Sequence, residues 1–204
     1  MSDISVTFDK EKAQKLNESV YKTSIAGLYF IDHSLYRDDR GFYSELTKLP
    51  EVENVIKQSF EVKQVNLSYS TTNVIRGMHA EGWDKIATVV CGGAFCALAD
   101  IRPESPTFGQ VETFHLGPLY GAVRGSLYVS RGIANSFCVP EGEVDYLYLV
   151  NELYKDRDKK GDKSISLFDP DLNIRWPIPK DQMVISERDR QAVTLRELFP
   201  EKFK

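Results

Sequence analysis

Residues 64–70 alternate without interruption: Val65, Leu67 and Tyr69 fall on one side of the chain, Gln64, Asn66, Ser68 and Ser70 on the other. A period of two belongs to an extended strand, whose successive side chains point to opposite faces. The polar face has two readings. On an open sheet it is the wet side. In a small barrel it lines the mouth of a cavity, where a polar ligand needs hydrogen-bonding partners. Further strands are predicted at residues 27–32, 111–116, 126–130, 134–139 and 144–150, while 86–91 and 94–100 flank Gly92-Gly93 as a hairpin.

Helix signals are few. Pro50 opens a short helix across residues 51–58, and Ser186, with Asp189 three residues later, caps a helix running to Phe199. Residues 8–19 are polar and form either a short helix or a mobile arm. Short, evenly spaced strands broken by Gly and Pro indicate an all-β sandwich or jelly roll. No helices alternate with the strands, which argues against a parallel α/β sheet.

The 204 residues fit one domain (1–204), with an N-terminal arm at 1–26 and a C-terminal helical segment at 185–204. A net charge of −4 gives no basic footprint for nucleic acid, and no apolar run reaches the length of a membrane span. The N-terminus is charged where a signal peptide is hydrophobic, so a cytoplasmic location is expected. Cys91, Cys96 and Cys138 lie in apolar contexts without ligand spacing and read as buried thiols of a reducing compartment. His33, His79 and His115 sit on separate segments with no His-x-His, so neither a catalytic metal nor another cofactor is expected.

Candidate chemistry concentrates at residues 73–85, which gather Arg76, His79 and Lys85 within ten positions. His exchanges a proton near neutral pH, and a Lys stabilises negative charge developing on an oxygen. Gly77 lets the backbone turn or approach a ligand closely. Blander readings stand beside these: a polar strand end, a surface ion pair between Lys85 and Asp84, a capping carboxylate at Asp189, and core packing for Tyr146 and Tyr148. The mixed-charge run 155–163 reads as a solvated loop.

Several ordered blocks carry a resemblance: Asp38-Asp-Arg-Gly-Phe-Tyr-Ser-Glu45, Gln64-Val-Asn-Leu-Ser-Tyr-Ser70, Ile75-Arg-Gly-Met-His79 and Asp100-Ile-Arg with Ser105-Pro-Thr-Phe-Gly109. They continue with Arg131-Gly-Ile-Ala-Asn-Ser-Phe137, Tyr148 with Tyr154, Asp169-Pro-Asp-Leu-Asn-Ile-Arg-Trp176 and Ile185-Ser-Glu-Arg-Asp189. From about Gly27 to the C-terminal helix the chain resembles the nucleotide-sugar epimerases typified by dTDP-4-dehydrorhamnose 3,5-epimerase. The resemblance implies a cupin-type jelly roll (double-stranded β-helix) with a few short peripheral helices, and a homodimer that exchanges N-terminal strands. It implies a small-molecule nucleotide-sugar substrate, with neither nucleic acid nor membrane as partner.

By the same resemblance His79 is the base, Lys85 steadies the enolate oxygen, Tyr148 returns the proton from the opposite face and Asp189 orients the imidazole. Arg40, Glu45, Arg76 and Arg131 are implied to hold the nucleotide diphosphate, partly across the dimer interface, with Gln64, Asn66, Ser68, Asn135 and Tyr154 completing the substrate site. Two departures are visible. Lys85 follows His79 by only six positions, as in a streptococcal-type branch, and Asn135 stands where the more familiar members carry a histidine. An Asn there gives a hydrogen bond but no charge. Epimerisation at C3 alone, keto-group migration and a non-catalytic sugar-nucleotide binding module remain as alternatives.

Overall fold

The computed structural model describes residues 5–119, 121–156 and 161–203. One six-stranded sheet runs in the order β1 (Ser5–Thr7), β10 (Val111–Leu116), β9 (Ala94–Asp100), β12 (Ile133–Cys138), β7 (Ile75–Ala80), β14 (Lys163–Ser164). The second runs β2 (Val20–Lys22), β3 (Leu28–Asp32), β11 (Gly125–Val129), β8 (Lys85–Cys91), β13 (Glu143–Val150), β6 (Gln64–Thr71). Strands β4 (Ser34–Asp38) and β5 (Gly41–Glu45) make a separate hairpin, and helix α1 (Leu49–Ile56) follows it. From β7 to β13 the chain passes repeatedly between the sheets, which is the winding of a jelly roll.

The inner faces meet in one apolar core, where Phe30, Val89 and Leu127 of the second sheet pack against Cys96, Leu98 and Phe114 of the first. Burying a side chain such as Leu98 contributes about 1.5–3 kcal/mol. Strand β9 is buried along its whole length. Its other face, through Ala97 and Ala99, lies under Ile165, Leu167, Leu172 and Leu195 of the C-terminal segment. Helix α1 covers part of the second sheet's outer face, setting Val52 against Ile31, Ile86 and Tyr128.

That cover stops short of β6. Val65, Leu67 and Tyr69 are exposed, whereas Gln64, Asn66 and Ser68 are partly buried. The alternation at 64–70 is therefore inside out, with its polar side turned to the interior. The wet-side reading of the polar face does not hold; of that face, Ser68 lines a cavity.

Four local expectations are corrected. Residues 86–100 are not a hairpin, because β8 pairs with β11 and β13 while β9 pairs with β10 and β12. Gly92 has φ +79° and passes so close to Glu143 that a Cβ would lie 1.8 Å from its carbonyl oxygen, which steers the chain across to the other sheet. The single C-terminal helix is two, α2 (Glu187–Arg190) and α3 (Leu195–Leu198), because Thr194 starts a new helix through a capping box with Glu197. Residues 8–19 contain turns and no helix, and the segment is held by Phe8, whose ring lies 4.7 Å from Phe30 and 5.1 Å from Phe114. Cys96 and Cys138 are buried, but Cys91 is exposed. Of the mixed-charge run, residues 157–160 lie outside the described residues.

Candidate active site

Strand β7 brings His79 to the gap between the sheets. Opposite it, Asn135 faces His79 and Phe137 faces Arg76, so three steps on β7 answer two on β12. The extra residue is a bulge, which re-aims the side chains beside it. Gly77 sits in this bulge with φ +121°, and a Cβ there would lie 2.6 Å from Ser136 Cβ and 2.7 Å from the Asn135 carbonyl oxygen. Only glycine fits.

Helix α2 supplies the partner. Ser186 caps it by accepting the Asp189 backbone N–H at 3.2 Å, which aims the Asp189 side chain at β7. Asp189 Oδ1 meets His79 Nε2 at 2.7 Å, and Oδ2 accepts the Gly77 N–H at 3.1 Å. Asp189 is thus both a cap residue and the partner of the imidazole. Burial acts to raise its pKa, but the hydrogen bond and charge of His79, the Gly77 N–H and Ser186 outweigh burial and hold it below the usual carboxylate value. An ionised carboxylate only accepts, so His79 carries its hydrogen on Nε2 and its basic lone pair on Nδ1.

Lys85 opens β8, with Val150 of β13 and Val129 of β11 as its neighbours in register. It is buried, and its ammonium bonds Glu81 rather than Asp84. Asp84 is taken by Asn151 Nδ2 at 2.9 Å and the Arg131 N–H at 2.8 Å. The surface-pair reading of Lys85 fails on both counts. Across the gap, β13 and β6 pair so that Tyr146 faces Ser68 and Tyr148 faces Asn66. The Tyr146 ring stacks on Phe137 at 4.3 Å and its hydroxyl donates to Asn135 Oδ1 at 3.2 Å.

These groups share one cavity of about 560 Å³. Its lining includes His79, Lys85, Tyr148 and Asp189, together with Ser68, Arg76, Asn135 and Tyr154. Arg76 is oriented by Ser70 Oγ at 2.9 Å and the Tyr69 carbonyl at 3.1 Å. The other sequence candidates lie off this lining. Gln64 and Asn66 continue the inner face of β6 beside Ser68, with Gln64 bonding Asn66 at 2.6 Å and the Tyr154 N–H at 2.9 Å. Arg131 turns to Asp84, 3.5 Å away. Arg40 and Glu45 belong to the separate hairpin, paired with Asp38 at 2.6 Å and Lys48 at 3.1 Å.

Sequence reasoning passed over Glu81, Phe137 and Arg188, all of which line the cavity, and left Tyr146, which also lines it, out of the site residues. Glu81 had a signal, since it stands two residues after His79 and so on the same side of an extended chain. Among the described residues no group of three or more His, Cys, Asp or Glu gathers as metal ligands do. His33 bonds Ser126 at 2.9 Å and His115 packs on Phe95, both away from the cavity.

A jelly roll holding a His–Asp pair and a buried Lys on one cavity with a Tyr from the facing strand defines an acid–base enzyme of the cupin architecture. A family model described as dTDP-4-dehydrorhamnose 3,5-epimerase matches residues 22–197, and the chain belongs to that family. The Shigella flexneri dTDP-4-dehydrorhamnose 3,5-epimerase is 30% identical over 177 residues, covering 84% of this chain and 92% of its own. The Legionella pneumophila dTDP-6-deoxy-D-glucose-3,5-epimerase, solved with dTDP-4-keto-L-rhamnose, superposes with a TM-score of 0.78 at 30% identity, covering 89% of this chain and 95% of its own. A 3'-monoepimerase from Streptomyces bikiniensis, solved with dTDP-quinovose, gives 0.77 at 27% identity over 87% and 89%.

Two expectations test this geometry. Gly77→Ala should lower stability by about 2–4 kcal/mol, combining a disfavoured φ with overpacking against β12; urea unfolding should show a lower midpoint at unchanged slope. The Asp189 carboxylate, with its folded pKa lowered, contributes stability above the ordinary carboxylate range that is lost as pH falls through the folded value. The Tm gap between the protein and its Asp189→Asn variant should therefore be wide near pH 6 and close below about pH 4. A gap unchanged at low pH would detach the stabilisation from the ionised carboxylate.

Proposed function

We propose that this protein inverts C3 and C5 of a nucleotide-diphosphate 4-keto-6-deoxy sugar, taking dTDP-4-dehydro-6-deoxyglucose to dTDP-4-dehydrorhamnose. The observation that carries the mechanism is the placement of His79 and Tyr148 on strands of opposing sheets around one cavity. The C4 ketone acidifies the hydrogens on C3 and C5, because the electron pair left behind is delocalised onto the oxygen as an enolate. His79 Nδ1 removes the proton, and Asp189 stabilises the resulting imidazolium. Lys85 donates to the enolate oxygen. Tyr148 then delivers a proton to the other face of the same carbon, inverting it; His79 releases its proton to solvent and Tyr148 regains one from it. Repetition at the second carbon completes the reaction.

Arg76 and Arg131 are assigned to the diphosphate, and Ser68, Asn66, Gln64, Asn135 and Tyr154 to the substrate. Arg40 and Glu45, remote from the cavity of their own chain, are assigned to the nucleotide in the cavity of a second copy. A homodimer accounts for this and for the exposed Val65, Leu67 and Tyr69 on β6. Exchange of β1, a three-residue edge strand, belongs to the same proposal. So does a cytoplasmic location, which suits three unpaired thiols.

Incubation with dTDP-4-dehydro-6-deoxyglucose in deuterated water should place label at both C3 and C5 of the inverted product, read by NMR. Label at C3 alone would make it a monoepimerase, the activity named for the Streptomyces bikiniensis relative. His79→Ala should abolish exchange while leaving dTDP binding within about threefold. Tyr148→Phe, which loses one hydroxyl at about 0.5–1.5 kcal/mol, should still exchange label but with retention. Wild-type inversion by that variant would move the acid role elsewhere.

For the assembly, Leu67→Asp should halve the mass seen by sedimentation and weaken dTDP binding together with it. A monomeric wild-type protein would remove the shared-site assignment of Arg40 and Glu45.

A further inference from the structure

The cavity holds a second ion pair, Lys85 with Glu81, of which the mechanism above gives a task to Lys85 alone. The Lys85 side chain is 5% exposed and that of Glu81 17%, and the ammonium hydrogen-bonds Glu81 Oε2. The same oxygen accepts the indole N–H of Trp83 at 3.1 Å, and Trp83 is itself buried. The carboxylate is therefore pinned from two directions. The other cavity carboxylate, Asp189, is engaged by His79 and Gly77, and Asp84 by Asn151 and Arg131.

An ammonium taken out of water costs several kcal/mol unless a counter-charge replaces its hydration. Lysine is also a poor self-positioner, with a flexible four-carbon stem and three rotatable donors. A single carboxylate fixed beside it answers both needs, leaving two N–H bonds free to be aimed.

We propose that Glu81 is the positioning residue of Lys85. Its carboxylate holds the ammonium at the depth where the enolate oxygen forms. Glu81 acts through Lys85 and exchanges no proton with the sugar. Glu81 is itself suited to this, because although burial raises its pKa, the charge and hydrogen bond of Lys85, with smaller help from His79 and Trp83, keep it below the usual carboxylate value. The inference rests on the reading of Lys85 as the group that stabilises the enolate.

The test is a double-mutant cycle read in two ways. In turnover, Glu81→Gln should lower kcat about 100-fold with KM within about threefold, the pattern of an interaction made in the transition state. Glu81→Asp, which keeps the charge, should recover part of that loss. In a Lys85→Met background, Glu81→Gln should cost less than about twofold, because the group it acts through is gone. Losses that multiply would show Glu81 acting on the substrate directly and overturn the proposal, as would wild-type kcat in a folded Glu81→Gln protein. The second readout needs no activity: thermal unfolding of the four proteins should show the double variant more stable than the two single losses add up to. Additive unfolding effects would overturn the pairing itself. A wild-type protein that exchanges no label refutes the proposed reaction, while the unfolding cycle still decides the pairing.

Discussion

Asp189 is the joint on which the site depends. Its two oxygens meet the His79 ring and the Gly77 N–H, and its own N–H goes to Ser186. These contacts tie a four-residue helix to a strand about 110 positions earlier in the chain. A helix that short has no stability of its own, since nucleation costs more than one turn returns. It persists because its segment is held by apolar contacts on the outer face of the first sheet, through residues such as Ile165, Leu172 and Leu195. The imidazole's orientation is thus set by packing well away from the reacting groups. That arrangement lets a rigid β scaffold fix a proton acceptor whose partner comes from outside the sheet.

The same scaffold explains why β6 is built inside out. A sheet face that lines a cavity for a polar ligand must present hydrogen-bonding groups inward, so Ser68 and its neighbours displace the apolar residues a core strand carries. Val65, Leu67 and Tyr69 are left on the outer face at an edge of the sheet. Exposed apolar edges invite pairing or stacking with another chain. Cavity chemistry and outer-surface chemistry are coupled through a period of two, and one cannot be changed by a register shift without reversing the other.

Most strands were legible in the sequence because their signals are local: alternation, β-branched runs and Gly or Pro breaks. The hairpin at 86–100 failed because a strand's partners are a tertiary fact. Gly92-Gly93 has the composition of a tight turn, yet it serves a crossing between sheets against the carbonyl of Glu143. His79, Lys85, Tyr148 and Asp189 were legible only as a set matched to a family, since each alone has an ordinary structural explanation. Asp189 could be read as a cap, and it is one; its contact with His79 spans too much chain for any local pattern to carry. The Arg131 guanidinium lies 3.5 Å from Asp84, a partner no local pattern shows because it is set by how the turn at 81–84 folds. Glu81 was overlooked for the same reason, because its pairing with Lys85 exists only once that turn has closed.

The charges around the cavity form a pattern that single residues do not reveal. Near the reacting atoms, His79 faces one carboxylate and Lys85 another, while Arg76 and Arg188 also border the cavity. In the proposed reaction, proton transfer to His79 creates a cation in contact with Asp189 and an anion on the sugar oxygen beside Lys85. Each new charge appears next to a group already oriented to receive it, so little reorganisation accompanies the step. Beforehand the Lys85–Glu81 pair sums to zero and the His79–Asp189 pair carries the one negative charge of its carboxylate, which the proton arriving on His79 offsets. Arg76, by contrast, has a hydroxyl and a carbonyl and no carboxylate as hydrogen-bond partners among the described residues. An uncompensated guanidinium at the cavity wall suits a diphosphate, whereas a compensated ammonium suits a charge that exists only during the reaction. Under the proposed reaction, this difference in pairing distinguishes the end of the cavity assigned to binding from the end assigned to catalysis.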